Sequence, residues 1–226
     1  MRSQFQHDAL AAFRHSVLDQ EFPCVGARAA FNAGSYVLNT YNKLAGVDSS
    51  LGLARDLAEF TSSELRNHEY ATFVAVFRTP EIDHEAHFEA LLWEQLTRLN
   101  RSDAHTWDAT VRSDPHDPQF SFSFGGQALY VIGMHPQSSR VARRFRWPAL
   151  VFNPHVQFER LRGEGKWKRM QQTIRQRDEA LQGTVNPMLS DFGESSEARQ
   201  YSGRAVEENW RAPFTAANGG KCPFHH

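Results

Sequence analysis

The sequence predicts a single α+β domain spanning 1–226: a five-stranded, mainly antiparallel sheet with packed helices and an irregular C-terminal tail. Three observations carry this. Residues 120–132 hold a period-two run, a Gly-Gly turn and a second β-rich run, which together make a hairpin and demand antiparallel pairing. Segments with helical spacing are interleaved with the strands, so helices must cover the sheet. The chain has 226 residues, 40% hydrophobic and 12% aromatic, enough apolar material for one core and too much for general disorder.

The elements follow in order. Phe5, Ala9, Phe13 and Val17 recur every fourth residue, with Leu10 and Leu18 widening the stripe, so the spacing predicts an amphipathic helix over 5–18. Pro23 stops it, and 24–31 reads as a short helix whose first turn carries Cys24. Gly34 and Ser35 break that helix before a β-rich run over 36–41. Residues 51–65 place Leu53, Leu57, Phe60 and Glu64 at helical spacing, and 71–77 is the clearest strand. A further helix over 85–99 carries Phe88, Leu91, Leu92, Leu96 and Leu99 on one face.

A polar, proline-bearing loop comes next. Phe120, Phe122 and Phe124 then share one face of a strand, and 128–132 returns beside it after the glycine turn. Residues 149–152 form the fifth strand, and 156–181 is mostly helical with a loosening at 163–165. From Gln182 onward glycine, serine and proline thin out regular structure, leaving Trp210, Phe214 and Phe224 in need of a docking surface.

Composition narrows the function classes. The 25 Lys+Arg against 26 Asp+Glu give a formal charge of −1, without the basic excess that nucleic acid or an anionic membrane selects. No apolar run approaches the roughly 20 residues needed to span a bilayer, and the N-terminus lacks the apolar core of a secretory signal. Two cysteines, Cys24 and Cys222, allow at most one disulfide, so a cytoplasmic protein with reduced thiols is expected. No G-x-G-x-x-G or P-loop pattern supports nucleotide chemistry.

The residues that could carry chemistry are few. Cys24 sits where a helix begins, so backbone N–H groups and the helix dipole would stabilise a thiolate there. The Cys-x-Gly-x-x-x-Ala run from Cys24 to Ala30 is the local pattern by which haem-thiolate monooxygenases hold iron, while a small buried apolar cysteine is the plainer alternative. His135 and His155 each end a predicted strand and could offer an imidazole to a metal. Arg140, Arg143, Arg144 and Arg146 cluster nearby, and guanidinium groups pair bidentately with carboxylates or propionates. Glu81-Ile-Asp-His84 matches one E-x-x-H half-site, but di-iron carboxylate bundles need two. Cys222-Pro-Phe-His225 offers one Cys-x-x-His pair where zinc wants four ligands.

Taken together, several short motifs resemble one family. They are Phe22-Pro-Cys24, Gly133-Met-His-Pro-Gln-Ser-Ser-Arg140, Ala142-Arg-Arg-Phe145, Phe152-Asn-Pro-His-Val-Gln-Phe-Glu159, Asn186-Pro-Met-Leu189, Ser196-Glu-Ala-Arg-Gln-Tyr-Ser-Gly203 and Cys222-Pro-Phe224. The set resembles the YqcI/YcgG family, above all the branch of the guanitoxin-pathway N-hydroxylase and the haem-dependent arginine hydroxylase of cycloserine biosynthesis.

That resemblance implies a haem b monooxygenase that hydroxylates a guanidine nitrogen of arginine or an arginine-derived amino acid. O₂ would be its co-substrate, and a separate reductase or reductant its electron donor. Cys24 would be the iron's axial ligand, with His135 and His155 as alternatives. Arg140, Arg143 and Arg144 would hold the haem propionates, and Glu159 or Glu197 would receive the guanidinium of the substrate. Two other readings stand beside this one: a haem sensor or carrier without oxygenase activity, and a cofactor-free interaction domain.

Overall fold

The structure is a computed structural model and describes residues 3–63, 68–190 and 192–217. The described residues hold seven α-helices, one short 3-10 turn (Val141–Arg143) and five strands. Helix α1 is Gln4–Leu18, α2 Val25–Ala33, α3 Val47–Ser62 and α4 Glu85–Ser102. Strand β1 is Tyr36–Lys43, β2 Thr72–Thr79, β3 Phe122–Phe124, β4 Gln127–Met134 and β5 Ala149–Pro154. Helix α5, His155–Gly163, and α6, Trp167–Gln182, follow the last strand, and α7 is the short turn Ala198–Tyr201.

The strands lie in the order β1-β2-β5-β4-β3, with all neighbours antiparallel except β1 and β2. That parallel pair exists because α3 lies between the two strands in sequence and supplies the long crossover that parallel pairing requires. The hairpin turn at Gly125 and Gly126 has φ of 63° and 70°, the doubly left-handed backbone that matches strand twist and suits glycine.

Side chains alternate across the sheet into two cores. Phe73, Phe77, Leu129, Val131, Leu150 and Phe152 pack on one face against α3 and α4. On the other face Val74, Val76, Met134, Ala149 and Val151 meet Ala9, Phe13 and Val17 of α1 and Phe31 of α2. Central β2 is buried on both faces, which is why its sequence reads as one apolar run.

Helix α3 starts a turn earlier than periodicity suggested, and Glu64 and Leu65 lie outside the described residues. The tail is irregular but docked: Trp210 and Phe214 stack near Trp93 at 6.2 and 5.8 Å between centroids. Phe224 and Cys222 lie outside the described residues. Helix α6 differs from the rest, because Asp178 is its one buried residue although its sequence is amphipathic. Its apolar side faces a cavity rather than a core.

Candidate functional site

The cavity, about 250 Å³, lies against the α1–α2 face of the sheet. Its floor is Thr72 of β2, Tyr130 and Ile132 of β4, and Val151 and Asn153 of β5. Cys24 and Ala27 of the α2 end form one wall, and His155, Phe158 and Arg162, one stripe of α5, form another. The roof is the α6 stripe Trp167, Met170, Ile174 and Asp178, spaced three or four residues apart. Leu189, Phe192, Glu197 and Gln200 close the remaining side.

Cys24 caps α2. Its Sγ accepts from the Ala27 amide at 3.5 Å and it opens onto the cavity. Burial raises the thiol pKa by more than the amides of Ala27 and Gly26 and the charge of Arg143 lower it. The helix-start amides do stabilise the thiolate as expected, but burial outweighs them and the free thiol is neutral at pH 7. Desolvation outweighs the partial charge of a few N–H groups.

His155, the first residue of α5, is buried against Phe192 with ring centroids 4.6 Å apart. Burial holds its pKa down to about 4, which leaves a neutral imidazole able to donate a lone pair. His135 is elsewhere. It is fully buried on the opposite side of the sheet, stacked on Phe88 of α4 at 4.3 Å, and is not among the cavity residues. Both of its ring nitrogens lack partners among the described residues.

The three arginines part company. Arg140 is buried in an ion pair with Asp178 and also donates to Thr184, which pins the end of α6. Arg144 is exposed and donates to the Ser138 carbonyl, away from the cavity. Arg143 alone lines the cavity, with its fork on the carbonyls of Gly133 at 3.1 Å and Gln200 at 3.3 Å.

The two carboxylates separate as well. Glu159 is exposed and pairs with Arg162, and its Oε1 lies 3.8 Å from His155 Nδ1. Glu197 is 6% exposed, faces the cavity and accepts from the Tyr201 hydroxyl at 2.9 Å. Burial pushes its pKa up to about 8.

Sequence reasoning missed Tyr130, Thr72, Gln200, Arg162 and Arg175 as cavity residues. Arg162 was legible in principle, since it stands seven residues after His155 on the same face of α5. Tyr130 and Thr72 had no local signal, because nothing but the strand order brings them together.

The donor set can be tested against a haem. Among the described residues no three His, Cys, Asp or Glu side chains converge, so no all-protein metal cage is formed. A porphyrin iron needs only one or two axial side chains, and Cys24 and His155 both face this cavity. The walls are largely apolar, and Thr72 Oγ1, buried at the floor, has no hydrogen-bond partner among the described residues. Arg143, Arg162 and Arg175 supply cations at the lining. On these grounds the residues fit the group.

A family model described as the YqcI/YcgG family matches residues 13–215. The chain belongs to that family. YqcI/YcgG relatives include the uncharacterized protein YcgG of Bacillus subtilis (strain 168), 29% identical over 215 residues, 91% of this chain and 81% of that protein. The uncharacterized protein YqcI of the same organism is 27% identical over 231 residues, 97% of this chain and 87% of its own. No solved structure matches this YqcI/YcgG member. The family match includes Cys24, Arg143, His155 and Glu197. Among the described residues, no helix is long and apolar enough to cross a membrane.

Proposed function

We propose that this chain is a haem-dependent N-hydroxylase acting on a guanidino group of arginine or an arginine-derived amino acid. The observation that carries the reading is that Cys24 sulfur and a neutral His155 imidazole open onto one apolar cavity. The resemblance of its motifs to the haem-dependent hydroxylase branch of the family supports it. A haem bound there would supply the activation of O₂, with electrons from a separate reductase or reductant.

The chain's own residues have definable parts. Cys24 or His155 would hold the haem iron, and Cys24 would lose its proton on metal binding. Arg143, Arg162 and Arg175 would receive the propionates, whereas Arg140 is already neutralised by Asp178. The rings of Phe31, Phe158 and Trp167 exclude water from the cavity. Glu197 is the carboxyl positioned for the substrate cation, in place of Glu159.

The test is spectroscopic and chemical. The protein is loaded with haemin and reduced, and its CO complex recorded for the parent, Cys24→Ala and His155→Ala forms. A red-shifted Soret band abolished only by Cys24→Ala assigns the thiolate; an ordinary band abolished by His155→Ala assigns the imidazole. Arginine turnover to the hydroxyguanidine with a competent reductant completes the test. Stoichiometric haem without turnover would make the protein a haem sensor or carrier. A colourless protein that takes up no haemin would overturn the proposal.

A further inference from the structure

Glu197 is a buried carboxyl that faces the cavity, and no Lys, Arg or His of the described residues lies within ion-pair distance of it. Groups from every neighbouring element surround it. Tyr201, four residues on, donates to Oε1 at 2.9 Å. Ser121, just before β3, is close enough to lower its pKa although its buried Oγ makes no hydrogen bond among the described residues, and Arg162 of α5 acts on it only as the weakest of the charges and dipoles around it. Tyr130 of β4 stands beside it with its own hydroxyl committed to Gln200 Oε1 at 2.7 Å. All of these but Arg162 are neutral, and Arg162 makes no ion pair with it, so among the described residues the carboxyl has polar support and no ion-pair partner.

A carboxylate without a counter-ion in an apolar cavity is costly, and so is a cation that enters the same cavity alone. Each removes the cost of the other. A planar guanidinium or amidinium presents two parallel N–H donors that match the two carboxylate oxygens, one of which Tyr201 already holds in place. We infer that Glu197 is the cation receptor of the cavity and that a guanidinium ligand enters with the release of one proton from its carboxyl group to solvent. The inference rests on the reading of this cavity as a guanidino-compound site, and adds to it the residue and a proton coupling.

The balance is simple. The neutral acid and the ligand cation go to a carboxylate–guanidinium pair plus one proton in solution, with no electron moved. Because burial pushes the Glu197 pKa up to about 8, proton release is nearly complete well below that pH and vanishes well above it. Affinity should climb by up to about tenfold per pH unit toward pH 8 and then level off.

Calorimetric titration with methylguanidinium, which has no other group that titrates near neutrality, tests this on the full chain, both haemin-loaded and unloaded. At about pH 6.5 the apparent enthalpy in buffers of different ionisation heat should report release of close to one proton. Glu197→Gln, which keeps the shape of the side chain, should bind at least tenfold more weakly, release no proton and lose the pH dependence. Tyr201→Phe keeps the carboxyl, so proton release should persist with its midpoint at higher pH.

Binding without proton release in the parent protein would overturn the inference, as would no binding at all or a Glu197→Gln form with an unchanged pH profile. The parent measurement decides even if a variant fails to fold. A missing haem spectrum in the loaded sample would sink the oxygenase reading instead, and the unloaded titration would still report on Glu197.

Discussion

The Tyr201 hydroxyl donates to Glu197 Oε1 at 2.9 Å and is itself held by the Phe122 amide at 3.0 Å. This chain fixes the cavity carboxyl to the edge strand β3. Tyr201→Phe removes both bonds and leaves a buried amide and a buried acid short of a partner. It should cost about 1–3 kcal/mol of stability, read as a lower Tm by calorimetry.

Stability should depend on pH with a maximum near neutrality. Burial holds His135 and His155 down to about 4 from an ordinary 6.5, so each contributes stability that is lost as pH falls through that window. Glu197 works the other way. Its acid form persists in the folded chain up to about 8, so stability is lost as pH rises from 4.5 toward 8. Two histidines against one glutamate place the maximum near pH 6.5, and Glu197→Gln should flatten the alkaline side. Urea unfolding across pH checks both arms.

Asp178 binds Arg140 in a buried ion pair and also accepts from the Asn186 amide at 3.0 Å. Asp178→Ala leaves a guanidinium buried and uncompensated and should cost about 3–5 kcal/mol. Asp178 is the one buried residue of α6, so the loss should loosen that helix selectively. Hydrogen exchange over residues 167–182 should accelerate well before exchange in β2.

Cys24 caps α2 through its sulfur, so Cys24→Ala should cost about 0.5–1 kcal/mol while Cys24→Ser keeps the cap. Since burial raises the thiol pKa, alkylation by iodoacetamide should be slow at neutral pH and accelerate only above the ordinary thiol range. Haemin loading should suppress it further if Cys24 is the ligand. Peptide mapping separates its label from that of Cys222.

Gly133 lies where a Cβ would come within 2.5 Å of a Phe88 ring carbon and 2.8 Å of the Tyr201 carbonyl oxygen. Gly133→Ala must therefore push α7 off the sheet, and with it the carbonyl of Gln200 that Arg143 holds. A loss of about 1–3 kcal/mol is expected, with weaker guanidinium binding in the same variant.

The sequence by itself determined the local elements. Period-four apolar spacing placed the long helices, β-rich or apolar runs (one of them period-two) placed the five strands, and paired glycines marked the hairpin, because these signals report which faces of each segment are buried. It also marked Cys24 and His155, which lie next to a helix start and a strand end. Only the tertiary structure decided which of these residues meet. Strand order set Tyr130, Asn153 and Thr72 on one floor, and side-chain alternation sent His135 through to the far side of the sheet, onto Phe88. Charge assignments were equally global: Arg140, Arg143 and Arg144 look alike in sequence, yet a carboxylate from α6 neutralises the first, the cavity takes the second and solvent the third. Whether a side chain is charged or neutral depends on desolvation by distant segments, and no local spacing records that.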